Sequence, residues 1–329
     1  MSVSTHPKLW PRIPQDGLLG REGKAFHAHQ DLVTAANLAL TLGRPLLLTG
    51  DAGCGKTDFA FAVERALRSP DYPDDDLLEC HVRSDSRATD LLYRYDALTR
   101  FGDAHHGGPE GAKRAAEARN YIDLLPLGRA LVAERLRVVL IDEIDKAPRD
   151  LPNDLLRELD HARFEIREIP EGAGPHPSGL ERTMGRAPGD ASRPFVLVTS
   201  NVERQLPDAF LRRCAFFHIR FPQKDELRRI LVDRFGERRL AIDDVLRVFE
   251  GLRKVDKITK APATAELIDW CRSLVEVYDP AQAASEVARC AAVLAGRPND
   301  PENAPWKSLP GLPCLLKLRE DLERVGVAA

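Results

Sequence analysis

A chain of 329 residues with 43% hydrophobic and 30% charged residues has enough apolar surface for a sizeable core, which excludes general disorder, and its length suits two domains or one large domain with an appendage. A formal net charge of -3 supplies no basic field for counterion release, so nucleic acid is not the expected partner. The six cysteines, Cys54, Cys80, Cys214, Cys271, Cys290 and Cys314, stand singly without a C-x-x-C pair, and their spacing excludes a zinc or disulfide framework.

In chain order, the start MSVSTHPKLWPRIP has no apolar h-region, and no stretch approaches the roughly 18 apolar residues of a membrane span. Free thiols without an export signal lead us to expect a cytoplasmic protein. Residues 1 to 17 carry three prolines and read as an arm. A helix is expected from Gln30 to Leu42, stopped by Gly43, then a buried strand from Pro45 to Thr49 and a helix from Thr57 to Leu67. A strand is expected at Leu77 to Val82 and helices near Ala88 to Leu98 and Gly128 to Arg135, with a Gly/His/Lys-rich insert from Phe101 to Ala118 between them. There follow a strand at Arg137 to Ile141, a helix at Asp150 to Leu159, a Gly/Pro-rich loop from Pro170 to Ala191 and a strand at Phe195 to Thr199. This alternation predicts an α/β fold with a doubly wound parallel sheet, three layers deep. After Phe221-Pro222 five segments, from DELRRILVDRF to LLKLREDLERV, carry 3.6-residue apolar spacing, which predicts an all-helical second domain. The expected division is an arm over 1–17, an α/β domain over 18–222 and a helical domain over 223–329.

Gly50-Asp51-Ala52-Gly53-Cys54-Gly55-Lys56-Thr57 fits G-x-x-x-x-G-K-[ST], after an apolar strand and before a helical run. Glycines let successive N–H groups curl into an anion nest, and the following helix aims its positive end at the phosphates. Lys56 is expected on the terminal phosphates and the Thr57 hydroxyl on Mg²⁺, which makes ATP with Mg²⁺ the expected ligand. Cys54 among these amides reads either as a thiol of lowered pKa or, preferably, as a small residue that the loop tolerates.

Val138-Val139-Leu140-Ile141-Asp142-Glu143 is a buried strand ending in two carboxylates. Asp142 suits the Mg²⁺ role and Glu143 the base that polarises the attacking water. The same pattern alone also describes a solvated strand end; the phosphate loop upstream favours the functional reading. His105 and His106 are adjacent, while His81, His161 and His176 are remote in sequence, so no metal-ligand spacing emerges.

Three segments, PLLLTGDAGCGKT, VVLIDEIDKAPRDLPNDLLREL and LVTSNVERQLPDAFLRRC, in this order and spacing, resemble the MoxR-like branch of the AAA+ ATPases, over most of Leu18 to Pro222. The resemblance implies a P-loop NTPase fold with a helical lid, ATP hydrolysis and a ring, by analogy a hexamer. It places Asn201 at sensor 1, where a neutral amide orients water, and makes one of Arg212 and Arg213, preferably Arg213, the finger that reaches a neighbour's ATP. Leu19-Gly20-Arg21-Glu22 resembles the short box near the adenine. The segment PATAELIDW departs from the family pattern: Ala263-Thr264-Ala265 stand where sensor 2 often has an arginine, and Lys257, Lys260 or an arginine elsewhere is left to substitute. By the same likeness the insert and the 170–191 loop face partners or a pore, and the partner is a protein client, with von Willebrand factor A domain proteins as the class implied. Two other readings stand beside that of an ATP-driven motor that remodels or activates this client: a nucleotide-gated scaffold with little turnover, which the missing sensor 2 arginine motivates, and a P-loop kinase, disfavoured by Asn201 and the Arg212-Arg213 pair.

Overall fold

The computed structural model describes residues 12–186, 193–237, 239–296 and 304–326. The chain divides into two compact units: Met1–Gln15, Ala28–Thr49 and Phe59–His218 form the first, and Asp16–His27, Gly50–Asp58 and Ile219–Ala329 the second. Most of the expected arm, and residues 187–191 of the Gly/Pro-rich loop, lie outside the described residues.

The first unit opens with α1 (Gln30–Leu42), which buries Leu32, Val33, Ala36, Ala39 and Leu40 and stops at Gly43, a left-handed cap whose N–H reaches Ala39 O. Strand β1 (Leu46–Thr49) is buried throughout, and α2 (Lys56–Leu67) follows it, then β2 (Leu78–His81). The helix expected over Ala88 to Leu98 is broken: α3 (Thr89–Leu92) gives way to β3 (Tyr93–Tyr95) before α4 (Ala97–His106) begins. The reason is local, because Tyr93-Arg94-Tyr95 alternates and pairs antiparallel with a second short strand, Tyr93 opposite Leu124. The insert is itself helical, completed by α5 (Gly108–Ala115). Next come that partner strand, β4 (Ile122–Leu124), then α6 (Pro126–Val132) and β5 (Val138–Asp142).

In place of one helix over Asp150 to Leu159 there are two short ones, α7 (Leu151–Asp154) and α8 (Leu156–His161). The Gly/Pro-rich loop is not wholly irregular either, since β6 (Arg163–Glu165) pairs antiparallel with β7 (Thr183–Gly185) across it. The unit closes with β8 (Phe195–Ser200), α9 (Asp208–Leu211) and β9 (Ala215–His218). Strand β9 was not expected; its four residues, AFFH, are too few to show a period.

The main sheet is five-stranded, in the order β2-β5-β8-β1-β9, and every pairing in it is parallel. β1 lies between β8 and β9, with Leu46 opposite both Leu197 and Ala215. Helix α1 packs on β1 and β9 and α6 on β2 and β5. This is the α/β architecture expected from the alternation, and the continuous apolar runs LLLT, VVLI and FVLVTS follow from a parallel sheet covered on both faces.

The second unit is helical after Ile219: α10 (Lys224–Phe235), α11 (Ile242–Arg253), α12 (Thr264–Glu276), α13 (Pro280–Gly296), α14 (Leu312–Leu315) and α15 (Arg319–Arg324). Its core gathers Leu231, Phe249, Trp270, Cys271, Cys290 and Trp306, and the Trp270 indole N–H donates to Pro310 O at 2.7 Å. No helix among the described residues is long and apolar enough to cross a membrane.

Candidate functional site

The loop from Gly50 to Thr57 is built by backbone shape. Gly50 has φ 145, Gly53 φ 75 and Gly55 φ 94, a region that L side chains rarely enter. A Cβ at Gly50 would stand 2.5 Å from Ile219 O and 2.9 Å from Cys54 Sγ, so close approach as well as φ demands glycine there. Asp51, Ala52 and Gly53 are exposed, Gly55 and Thr57 half-buried, and Cys54 and Lys56 buried. The Cys54 N–H closes the turn on Asp51 O at 3.3 Å. Lys56 Nζ donates to Gly50 O at 2.7 Å and to Asp51 O at 3.0 Å, which aims the ammonium into the hollow of its own loop. Burial pushes the Cys54 thiol up, outweighing the opposing charge of Lys56, so the tolerated-residue reading suits it and the activated thiol does not. α2 begins at Lys56 and presents its first N–H groups and positive dipole end to this hollow.

Within the same unit two neighbours shape the loop. Leu18 to Phe26 form a small turn closed by Phe26 N–H to Leu18 O at 2.8 Å, and Leu19-Gly20-Arg21-Glu22 lies at its tip. Arg21 N–H reaches Asp58 Oδ1 at 2.9 Å, Arg234 lies 3.5 Å from the same carboxylate, and His27 Nε2 lies 2.6 Å from Asp233 Oδ2. On the other side a Cβ at Gly53 would stand 3.0 Å from Ala263 Cβ and 3.4 Å from Ala265 Cβ, so methyl groups, and no cation, of the Ala263-Thr264-Ala265 segment face the loop at this point. Arg253, on α11, feels the charge of Asp51 in the loop. Its guanidinium lies 3.7 Å from the Phe221 ring and donates to Pro262 O; burial lowers its pKa, and the charge of Asp51 opposes that shift. Sequence reading assigned Arg253 nothing.

The first unit holds the acidic residues. β5 and β8 run side by side with Ile141 opposite Val198, which brings Asp142, Glu143, Thr199 and Asn201 together at their carboxyl ends. The buried Thr199 hydroxyl donates to Asp142 Oδ1 at 2.6 Å and accepts the Glu143 N–H at 2.8 Å. Glu143 is left-handed, with φ 55, and its carboxylate is gripped twice: Asn201 Nδ2 donates to Oε1 at 3.2 Å and Lys146 Nζ to Oε2 at 2.6 Å. The hydrogen bond to Glu143 holds the Lys146 ammonium above the ordinary lysine range. Asn201 N–H in turn reaches Asp145 Oδ2 at 3.0 Å. Of these residues Asp142, Glu143 and Asn201 were expected from sequence, while Thr199, Asp145 and Lys146 were not. The only available signal was adjacency to the DE pair, since the bonds from Thr199 span 56 and 57 residues.

The arginine pair ends α9. Arg213 Nε is 2.7 Å from Asp160 Oδ2 and its Nη1 donates to Ala209 O at 3.1 Å. Arg212 is exposed, and among the described residues no side-chain hydrogen bond or ion pair joins it. The geometry thus engages the favoured finger candidate within its own chain and leaves its neighbour unpaired.

A family model described as the AAA domain of the dynein-related subfamily matches residues 45–214, from the residue before β1 to the residue before β9. That span holds the phosphate loop, the acid pair, Asn201 and both arginines. No curated protein matches the chain.

Proposed function

The chain belongs to the AAA domain family, dynein-related subfamily, and on that premise we propose that it is a MoxR-like, Mg²⁺-dependent ATPase that uses hydrolysis to remodel or activate a protein partner. The observation that carries the hydrolytic reading is the Glu143 carboxylate meeting the Asn201 amide at 3.2 Å, beside an Asp142 fixed by Thr199. A carboxylate base and a neutral amide at neighbouring strand ends serve attack by water.

In this reading Gly50 to Gly55 wrap the β- and γ-phosphates with main-chain N–H groups, and Lys56 turns from its loop carbonyls onto the terminal phosphate. Thr57 and Asp142 are both hard oxygen donors, a set that suits Mg²⁺, and the Thr199 hydroxyl bond orients the Asp142 carboxylate for it. Bound there, Mg²⁺ neutralises charge on the phosphates. Glu143 accepts a proton from the water that Asn201 orients; the water oxygen bonds to the γ-phosphorus, the bond to the β–γ bridging oxygen breaks, and ADP and phosphate leave. Arg213 is assigned the trans-acting role, which calls for a ring, by analogy a hexamer. A protein client, with von Willebrand factor A domain proteins as the suggested class, and a cytoplasmic setting complete the proposal.

The test is Mg²⁺-dependent ATP binding and turnover by wild type beside Glu143→Gln and Lys56→Ala. Glu143→Gln should keep ATP and lose turnover by about 10²- to 10⁴-fold, and Lys56→Ala should lose ATP. Equal turnover in Glu143→Gln defeats the assignment of the base. The methyl groups of Ala263 and Ala265 against Gly53 favour a second reading, a nucleotide-gated scaffold; tight ATP binding with negligible wild-type turnover, with and without client, would select it.

A further inference from the structure

Asp145 is 3% exposed, and nothing in the hydrolytic scheme above uses it. Its Oδ2 accepts two main-chain N–H groups, those of Asn201 and Glu203, each at 3.0 Å. Its Oδ1 has no hydrogen-bond partner among the described residues. A buried carboxylate with one oxygen unpaired is a liability for stability, and a neutral apolar side chain would be tolerated better at such a place.

The segment it holds explains the arrangement. Between the two N–H groups lies Val202, left-handed at φ 61 and 61% exposed. A β-branched residue is strained in that conformation, and burial returns nothing to this one. Among the described residues three hydrogen bonds hold the turn: the two to Asp145, and one from Val202 N–H to Ser200 Oγ at 3.0 Å. Its product is the direction of Asn201, whose side chain is brought back to Glu143 Oε1. Bonds to a charged acceptor are the stronger kind, and two on one oxygen fix the turn better than a neutral side chain would.

We propose that Asp145 is a positioning residue: its charged carboxylate clamps the strained turn at 201–203 so that the Asn201 amide stays on Glu143 and on the water that Glu143 activates. This rests on the hydrolytic reading of the same site. It predicts that Asp145 acts through Asn201 and leaves ATP affinity alone.

Four proteins test it: wild type, Asp145→Ala, Asn201→Ala and the double variant, with Asp145→Asn as a milder change. Asp145→Ala should lower kcat by about 10- to 100-fold, as Asn201→Ala does, with KM for ATP changed less than about threefold. The double variant should be no slower than Asn201→Ala alone, since the clamp has no purpose once its cargo is gone. Asp145→Asn, a neutral acceptor, should fall between. Amide hydrogen exchange gives a readout independent of turnover: Asn201 and Glu203 should exchange at least about tenfold faster in Asp145→Ala, while Val196 to Val198 in β8 do not change.

Additive losses in the double variant, or unchanged exchange at both amides, would overturn the clamp. If Asp145→Ala does not fold, Asp145→Asn decides: faster exchange at both amides with lower kcat at constant KM supports the proposal, and any other combination sinks it. A wild type that hydrolyses no ATP is a different failure, that of the hydrolytic reading itself.

Discussion

The phosphate loop and the acidic strand ends solve the same problem, holding groups rigidly at a loop, by opposite means. Gly50 to Thr57 is shaped by its main chain: left-handed glycines, a turn closed on Asp51 O, and a lysine bonded to carbonyls of its own loop. Asp142, Glu143 and Asn201 are held by other side chains, through Thr199, Lys146 and Asp145. A backbone-built site has its requirements written in consecutive residues, and almost any Cβ added to it does harm. A side-chain-built site spreads its requirements over distant positions, and each brace can be removed singly with graded effect.

The largest expected effect tests whether a side-chain brace is also a latch. Arg213 is paired with Asp160 in its own chain, so acting on a neighbour's nucleotide means giving that pair up. Arg213→Ala should lower turnover of the assembled protein by about 10³- to 10⁵-fold, the range for loss of an arginine finger. Arg212→Ala should change it little. Mixing Arg213→Ala with Lys56→Ala subunits should restore part of the activity, because each supplies what the other lacks. If Arg212→Ala is instead the damaging change, the unpaired arginine is the finger and Arg213 is a structural partner of Asp160.

Gly50→Ala tests the backbone-built side. At φ 145, with Ile219 O only 2.5 Å from the added Cβ, the loop has to move. We expect about 1–3 kcal/mol of strain, and an ATP affinity lower by about 5- to 150-fold if binding has to meet that cost. Calorimetric titration with ATP and Mg²⁺ measures it; unchanged affinity would mean that the loop's shape is not what recognises phosphate.

The same contrast decides what the sequence made legible. The loop could be read outright because its glycines, Lys56 and Thr57 are fixed at short spacing, and β1, β5 and β8 because fully buried parallel strands are continuous apolar runs. Asp142 and Glu143 were visible as an anomaly at a strand end. Thr199 was not, for nothing in LVTS says that its hydroxyl faces a carboxylate on the next strand. Tyr93 to Tyr95 hid inside a helical run because three residues cannot show a period against the eight others expected in that helix, and their partner strand starts only at Ile122. Arg253 was invisible for a third reason: its proximity to Asp51 arises from the packing of α11 within the helical unit, which spacing alone does not reveal.

Thr199→Val sharpens the comparison from the side-chain end at nearly constant volume. It removes the Thr199 hydroxyl that donates to Asp142 Oδ1 and accepts the Glu143 N–H, both in a part-buried setting. Loss of about 1–3 kcal/mol of stability is expected, together with a fall of about 10- to 100-fold in kcat. ATP affinity should move far less than in Gly50→Ala. Equal losses of affinity in the two variants would erase the distinction between the two constructions.

The smallest effect concerns Lys146, whose ammonium occupies the oxygen of Glu143 that Asn201 leaves open, at 2.6 Å. That contact occupies an oxygen the base needs free for water, so Lys146→Met should raise basal turnover rather than lower it. Both partners are largely exposed, 46% and 39%, and exposed pairs are weak, so the gain should be only about two- to fivefold. Salt supplies an independent check, because screening should bring wild type toward Lys146→Met while leaving the variant nearly unchanged. The sign with pH follows from the direction of the shift. The Glu143 hydrogen bond raises the Lys146 pKa, so the pair is complete below the ordinary lysine range and is lost only as pH climbs through the raised value. Between pH about 6 and 9 the ratio of variant to wild-type turnover should therefore stay constant, with convergence only at more alkaline pH. A variant slower than wild type in that window would show that Lys146 holds Glu143 in its working position, a support of the base and not a brake on it.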